Sequence, residues 1–319
     1  MVDQLASAKT CAVCGALLNT DHFQTDGLCN QCAAISAGSA SDAALNAQLS
    51  PAFGLSPELE QKRPPDPDQP PWGPASGVGV WVSSVAAIIV IPIIAVVLWF
   101  VIQSARGAAL PNFGAPQELV EWLKSPTLLL VQVLSTIVAH AITIGICWMV
   151  VTRMGKRPFW ATLGWDWAGH SLWYWMAFSA SVMIAILLVT QLLGWVLPQS
   201  EENSFTELLK SSTQVRIAIA ILATFSAPLV EEAVYRGLLY SGLRKVFGVA
   251  PTVLLVTLMF AGVHVLQYFG SWVSLAGLTL LSLALTLVRA KTKSVLPCVV
   301  IHTVNNAFFS VLILLNKAS

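Results

Sequence analysis

The sequence predicts an all-α polytopic membrane protein of about seven transmembrane helices, preceded by a small zinc ribbon and a proline-rich linker. Three observations predict it. Apolar residues fill 56% of the 319 positions and charged residues only 10%, with a mean hydropathy of +0.72. A soluble domain carries about 25% charged residues. From Val78 onward the chain falls into apolar runs, most of them near the ~20 residues that cross a bilayer. Ahead of Val78, four cysteines at paired spacing are followed by a stretch dense in proline. The net charge of +1 gives no sign of nucleic-acid binding.

Residues 1–36 carry Cys11, Cys14, Cys29 and Cys32 in the pattern C-x2-C-x14-C-x2-C. Each C-x-x-C places two thiolates on a tight turn, and two such turns close a tetrahedral zinc site. Gly15 and Gly27 stand where such knuckles need them. So short a module has too little core to fold without its metal. A pair of disulfides is the alternative and needs an oxidising compartment. Four thiolates leave no open coordination position for catalysis, so the zinc is structural and the ribbon reads as a structural module or as a docking module for a cytosolic protein partner. His22 reads as a surface residue. Cys147 and Cys298, isolated in apolar segments, read as small buried hydrophobes.

Residues 37–77 read as a disordered linker, Ala/Ser-rich at first, with eight prolines between 51 and 74. The first 75 residues show no basic-then-apolar signal peptide, so the first apolar run stays as a span. The membrane domain covers 78–319, with spans at 78–102, 127–151, 171–197, 216–240, 249–269, 272–288 and 295–315, the sixth of them short. Gln117–Lys124 is an amphipathic stretch suited to the interface. Trp160, Trp165, Trp167, Trp173 and Trp175 read as an interfacial anchor. No internal repeat is visible, which weakens a transporter reading.

Loop charge sets the orientation. Arg153, Lys156 and Arg157, then Arg244 and Lys245, then Arg289, Lys291 and Lys293 fall in alternate loops. The positive-inside rule puts these loops, the N-terminus and the ribbon in the cytoplasm, for a multi-pass protein of the cytoplasmic membrane.

The chemistry gathers in the last four spans. Glu231 and Glu232 sit inside the fourth, where a charge costs several kcal/mol and marks a task. His264 follows in the fifth, and His302 and Asn306 in the seventh. At 1.5 Å per residue, Glu231, His302 and His264 lie roughly 15, 10 and 20 Å below the cytoplasmic edge, depths that converge with tilt and a cavity. His302 and Asn306 are i, i+4 and share a face, as do Glu232 and Arg236, which can pair. Glu231 points about 100° away from Glu232. Glu232 thus serves as a brace. Glu231, in a drier place near a like charge, is suited to take and return a proton near neutral pH. Pro228 removes one helical hydrogen bond and opens the span just ahead of the pair. His140, in the second span, reads as a core histidine.

The ordered set Glu231-Glu232-Ala-Val-Tyr-Arg236, Phe260-Ala-Gly-Val-His264 and His302-Thr-Val-Asn-Asn306 resembles the CAAX protease and bacteriocin-processing (CPBP, or Abi) intramembrane proteases. The eukaryotic CAAX-prenyl type II endopeptidase belongs to that family. The resemblance covers about residues 214–315. It implies an endopeptidase acting on membrane-embedded or membrane-associated polypeptides. Glu231 and His264 would activate a water, His302 and Asn306 would stabilise the oxyanion, and Glu232 and Arg236 would support the site. Glu231, His264 and His302 could also ligate a catalytic zinc, as in a metalloprotease. The absence of an H-E-x-x-H helix favours the metal-free form. Two rivals remain: a non-proteolytic scaffold or immunity-type protein binding a partner through its ribbon, and an ion carrier using the buried carboxylates.

Overall fold

The computed structural model describes residues 66–197 and 204–315. The chain divides into two compact units at 64/65, and every described residue belongs to the second. The cysteine quartet and its expected zinc lie outside the described residues.

Among the described residues the fold is all-helical, with α1 (Pro74–Ala105), α2 (Pro116–Leu123), α3 (Pro126–Thr152), α4 (Phe159–Leu163) and α5 (Leu172–Leu193). After α6 (Ser204–Ser211) comes one long helix, α7 (Thr213–Phe247), then α8 (Val249–His264), α9 (Trp272–Thr292) and α10 (Leu296–Leu315). Six of these are long and apolar enough to cross a membrane: α1, α3, α5, α7, α9 and α10. The protein is a multi-pass membrane protein. The short member is α8, with 16 residues, and not the sixth run: α9 reaches 21 residues because its polar end, Arg289–Thr292, stays helical. Beyond His264 the chain turns, and Gly270 takes a φ of +86°, a left-handed value open to a residue without Cβ.

Local signals place the ends. Pro74, Pro116 and Pro126 each open a helix, where the missing N–H costs nothing. The Ser171 and Ser212 hydroxyls accept from the N–H groups of Tyr174 and Val215 and cap α5 and α7. Trp122 of α2 stacks on Phe100 at 4.2 Å. Of the five tryptophans read as an anchor, Trp160, Trp167 and Trp173 are exposed and Trp165 is half-buried. Trp175 is buried and donates its indole N–H to the Trp167 carbonyl.

Burial separates the helices into two kinds. In the most apolar stretch of α1 only 6% of residues are buried; in that of α7 the share is 39%. Exposed Ile and Val along α1 suit a solvent of lipid tails, where no hydrophobic penalty attaches to them. Helix α7 is central, packed by α1, α3, α8 and α10. Close approach to α1 depends on Gly77, where an added Cβ would stand 3.0 Å from the Leu238 carbonyl. Cys147 and Cys298 are buried as free thiols.

Residues 66–73, part of the stretch read as a linker, are folded onto the helices. Asp68 pairs with Arg244, Arg289 and Lys293. Lys245 donates to the Pro70 carbonyl at 2.6 Å and Arg153 to that of Pro71 at 2.7 Å. The Trp72 indole donates to the Leu238 carbonyl at 3.0 Å. Basic residues of three separate loops thus meet at one end of the helices, around this strap.

Candidate active site

Helix α7 carries the paired carboxylates, and its backbone departs from the α register on both sides of them. Leu222–Ser226 and Ala233–Leu239 are π-helical turns flanking Ala227–Glu232. Such turns are rare and occur mostly at functional sites. The first has a visible cause. The Ala227 N–H reaches back five residues to the Leu222 carbonyl, and the next residue, Pro228, has no N–H to give. The Ala223 carbonyl is left over, and Asn306 of α10 takes it with Nδ2 at 2.8 Å. The Thr224 and Ser310 hydroxyls join the same two helices at 3.1 Å, away from water.

Glu232 is fully buried. Its Oε1 accepts from Arg236 Nη1 at 2.8 Å and from His302 Nδ1 at 2.7 Å. Arg236, also fully buried, donates Nη2 to the carbonyl and the hydroxyl of Ser282, each at 2.9 Å. Its guanidinium lies over the Phe260 ring at 4.9 Å. Charge-assisted bonds of this kind are what a buried ion pair needs to survive desolvation.

Glu231 differs from its neighbour. Its side chain is 21% exposed and lines a cavity of about 810 Å³. Its Oε2 stands 3.8 Å from His302 Nε2, beyond hydrogen-bond range. The two nitrogens of His302 therefore face the two carboxylates, one each. The 100° separation expected along the helix is present, but Glu232 is more than the partner of Arg236: it also orients His302. That link spans 70 residues, so helical spacing alone could not reveal it.

His264 ends α8, half-buried against the same cavity. Its Nδ1 lies 2.8 Å from the Phe260 carbonyl, so Nδ1 carries the proton and Nε2 of the neutral ring is an acceptor. The Phe260 ring is the common wall, 4.8 Å from the His264 ring and 6.1 Å from that of His302. Asn306 lines the cavity and holds a second amide N–H beyond the one given to Ala223.

His140 of α3 was missed by sequence reasoning as a site neighbour. It is buried, its Nδ1 lies 2.6 Å from the Ser226 hydroxyl in the first π turn, and it lines the cavity with Glu231. A third histidine within the apolar spans, beside His264 and His302, was the available signal.

The structure thus brings Glu231, His264, His302 and Asn306 to one cavity and sets Glu232 and Arg236 behind it. The set can accept a proton at Glu231 and at His264 Nε2, and can donate from His302 and Asn306. Among the described residues no three His, Cys, Asp or Glu side chains are placed to hold a metal ion together, and the Nδ1 of His302 is held by Glu232.

Residues 213–308 match the sequence model of a family described as type II CAAX prenyl endopeptidase Rce1-like, a range that holds every one of these site residues except His140. No curated protein and no solved structure matches the chain.

Proposed function

We propose that this chain, bearing a CAAX-type endopeptidase domain at residues 213–308, is an intramembrane endopeptidase in which Glu231 activates the attacking water. The observation that carries the reading is the unequal placing of two adjacent carboxylates: Glu232 is sealed with Arg236 and His302, while Glu231 faces a cavity large enough for a peptide segment.

Glu231 takes a proton from water while the water oxygen bonds to the scissile carbonyl carbon. His264 Nε2 accepts from the same water and orients it. The carbonyl oxygen gains the charge and meets the free N–H of Asn306 and Nε2–H of His302. For His302 to donate from Nε2 while Nδ1–H is held by Glu232, the ring carries a proton on both nitrogens in this reading. The C–N bond then breaks, and the proton held by Glu231 passes to the leaving amine.

The substrate in this reading is a membrane-embedded or membrane-associated polypeptide. The clustering of Arg153, Arg244, Lys245, Arg289 and Lys293 supports putting that end of the helices in the cytoplasm. The test is cleavage of a quenched fluorescent peptide ending in a farnesylated CAAX sequence, by full-length protein in detergent. The parent is expected to cleave it, and Glu231→Gln and His264→Ala to fall by about 10²–10⁴-fold. Equal cleavage by all three would show the assignment of these residues to be wrong.

A further inference from the structure

We propose that the strap Asp66–Gly73, outside the matched domain, is a positioning element of the catalytic centre, with Asp68 and Trp72 holding the second π turn of α7 in register. The proposal rests on the peptidase reading of the site. None of the strap residues lines the cavity, yet an unbroken line of polar contacts joins the strap to His302. Asp68 Oδ1 pairs with Arg289 Nη1 at 3.1 Å, and Arg289 Nε donates to the Arg236 carbonyl at 3.0 Å. Arg236 then holds Glu232, and Glu232 holds His302. Arg289, Arg236 and Glu232 are all fully buried.

The second observation is where the carbonyls of the turn go. Within Ala233–Leu239, the Arg236 carbonyl is taken by Arg289, that of Gly237 by the Ser241 hydroxyl, and that of Leu238 by the Trp72 indole. The strap also takes up the rest of Arg289, since Nη2 donates to the Pro67 carbonyl at 3.0 Å. Buried groups of this kind must be paired. Without the strap, the Leu238 carbonyl loses its indole donor and two arms of the Arg289 guanidinium lose their partners, and with them go contacts that hold the π register.

A π turn holds one extra residue in the helix. Returning it to the α register rotates everything on one side by about 100° relative to the other. Glu231 and Glu232 lie on one side of this turn, and Tyr240 through Phe247, packed on α1, on the other. Loss of the register would therefore re-aim the carboxylates while leaving the helix intact. The strap fixes which face of α7 meets the cavity.

The experiment uses full-length protein in detergent micelles: the parent, Asp68→Asn, Asp68→Glu and Trp72→Phe. Trp72→Phe removes the indole donor and keeps the ring, so it preserves a folded comparison should the Asp68 variants fail. Two readouts are taken. One is the ¹⁵N signal of the His302 ring, assigned by its absence in His302→Gln. The other is steady-state cleavage of the farnesylated peptide. In Asp68→Asn and Trp72→Phe the His302 signal is expected to move. Displacement of reacting groups by about 1 Å can cost 10²-fold, so kcat should fall about 10- to 100-fold with KM nearly unchanged. Asp68→Glu is expected to return most of the activity. An unmoved His302 signal in folded Asp68→Asn and Trp72→Phe overturns the proposal, whatever the activity does. Should the parent not cleave the peptide, the peptidase reading fails on that arm and the His302 signal alone decides the strap.

Discussion

The two π turns of α7 are alike in backbone and opposite in surroundings. The first, Leu222–Ser226, is held by Asn306 from α10, a residue that also lines the cavity. The second, Ala233–Leu239, is held by Arg289 and Trp72, which do not line it. Between them lie Ala227–Glu232 and the two carboxylates. One turn borrows its support from the cavity wall and the other from the scaffold. Damage to the first should lower activity at little cost in stability, and damage to the second should lower both.

The largest stability effect is expected at the second turn. Arg289→Ala removes a fully buried side chain and leaves Asp68 and the Arg236 carbonyl short of a partner. Breaking a buried pair of this kind costs about 3–5 kcal/mol. Urea or thermal unfolding in detergent measures it, and a loss below about 1 kcal/mol would place Arg289 among pairs that contribute little. Asn306→Ala is the counterpart at the first turn. Its stability cost is about 1 kcal/mol, but loss of one oxyanion donor is expected to lower kcat by about 10²–10³-fold. Equal stability losses in the two variants would erase the contrast.

A smaller effect probes the packing of the second turn. Gly237→Ala puts a Cβ 2.5 Å from Cδ1 of the buried Leu163. Overpacking should cost about 1–3 kcal/mol, and Leu163→Ala on top of it should recover part of that by opening room. If the pair of changes is no better than Gly237→Ala alone, the contact is not the cause.

The smallest effect is a pH dependence at the strap. Burial by itself raises the Asp68 carboxyl, but Arg244 and Arg289 beside it outweigh that and hold it below its ordinary 3.8. A group lowered by folding stabilises the fold at pH above the unfolded value and loses that contribution as pH falls through the folded one. The melting temperatures of the parent and Asp68→Asn should therefore differ above pH 3.8 and converge in more acid solution. A gap of constant size across that range would contradict the pairing.

Much of this was legible in the sequence, for identifiable reasons. The apolar runs give the helices because a bilayer leaves few other ways to satisfy the backbone. The i, i+4 spacing gives the Glu232–Arg236 pair because that geometry is local. Pro228 signals a disturbed helix, and the structure places the disturbance one turn earlier, over 222–226, because the proline removes the donor its preceding carbonyls would use. What was not legible is long-range. The contact of His302 with Glu232, the place of His140 at the cavity wall and the docking of Asp68 on Arg289 join residues 70, 86 and 221 apart. No periodicity encodes such pairs. The second π turn has no proline to announce it, and its partners lie in the strap and α9.

The central claim is that Glu231 is the catalytic base of a peptidase acting on membrane polypeptides. Its most direct test is a comparison of membrane proteomes from cells expressing the parent chain and cells expressing Glu231→Gln at matched levels, read for protein termini. The account predicts a defined set of termini, in or beside membrane segments, present with the parent and absent with the variant. Identical termini in both would contradict it.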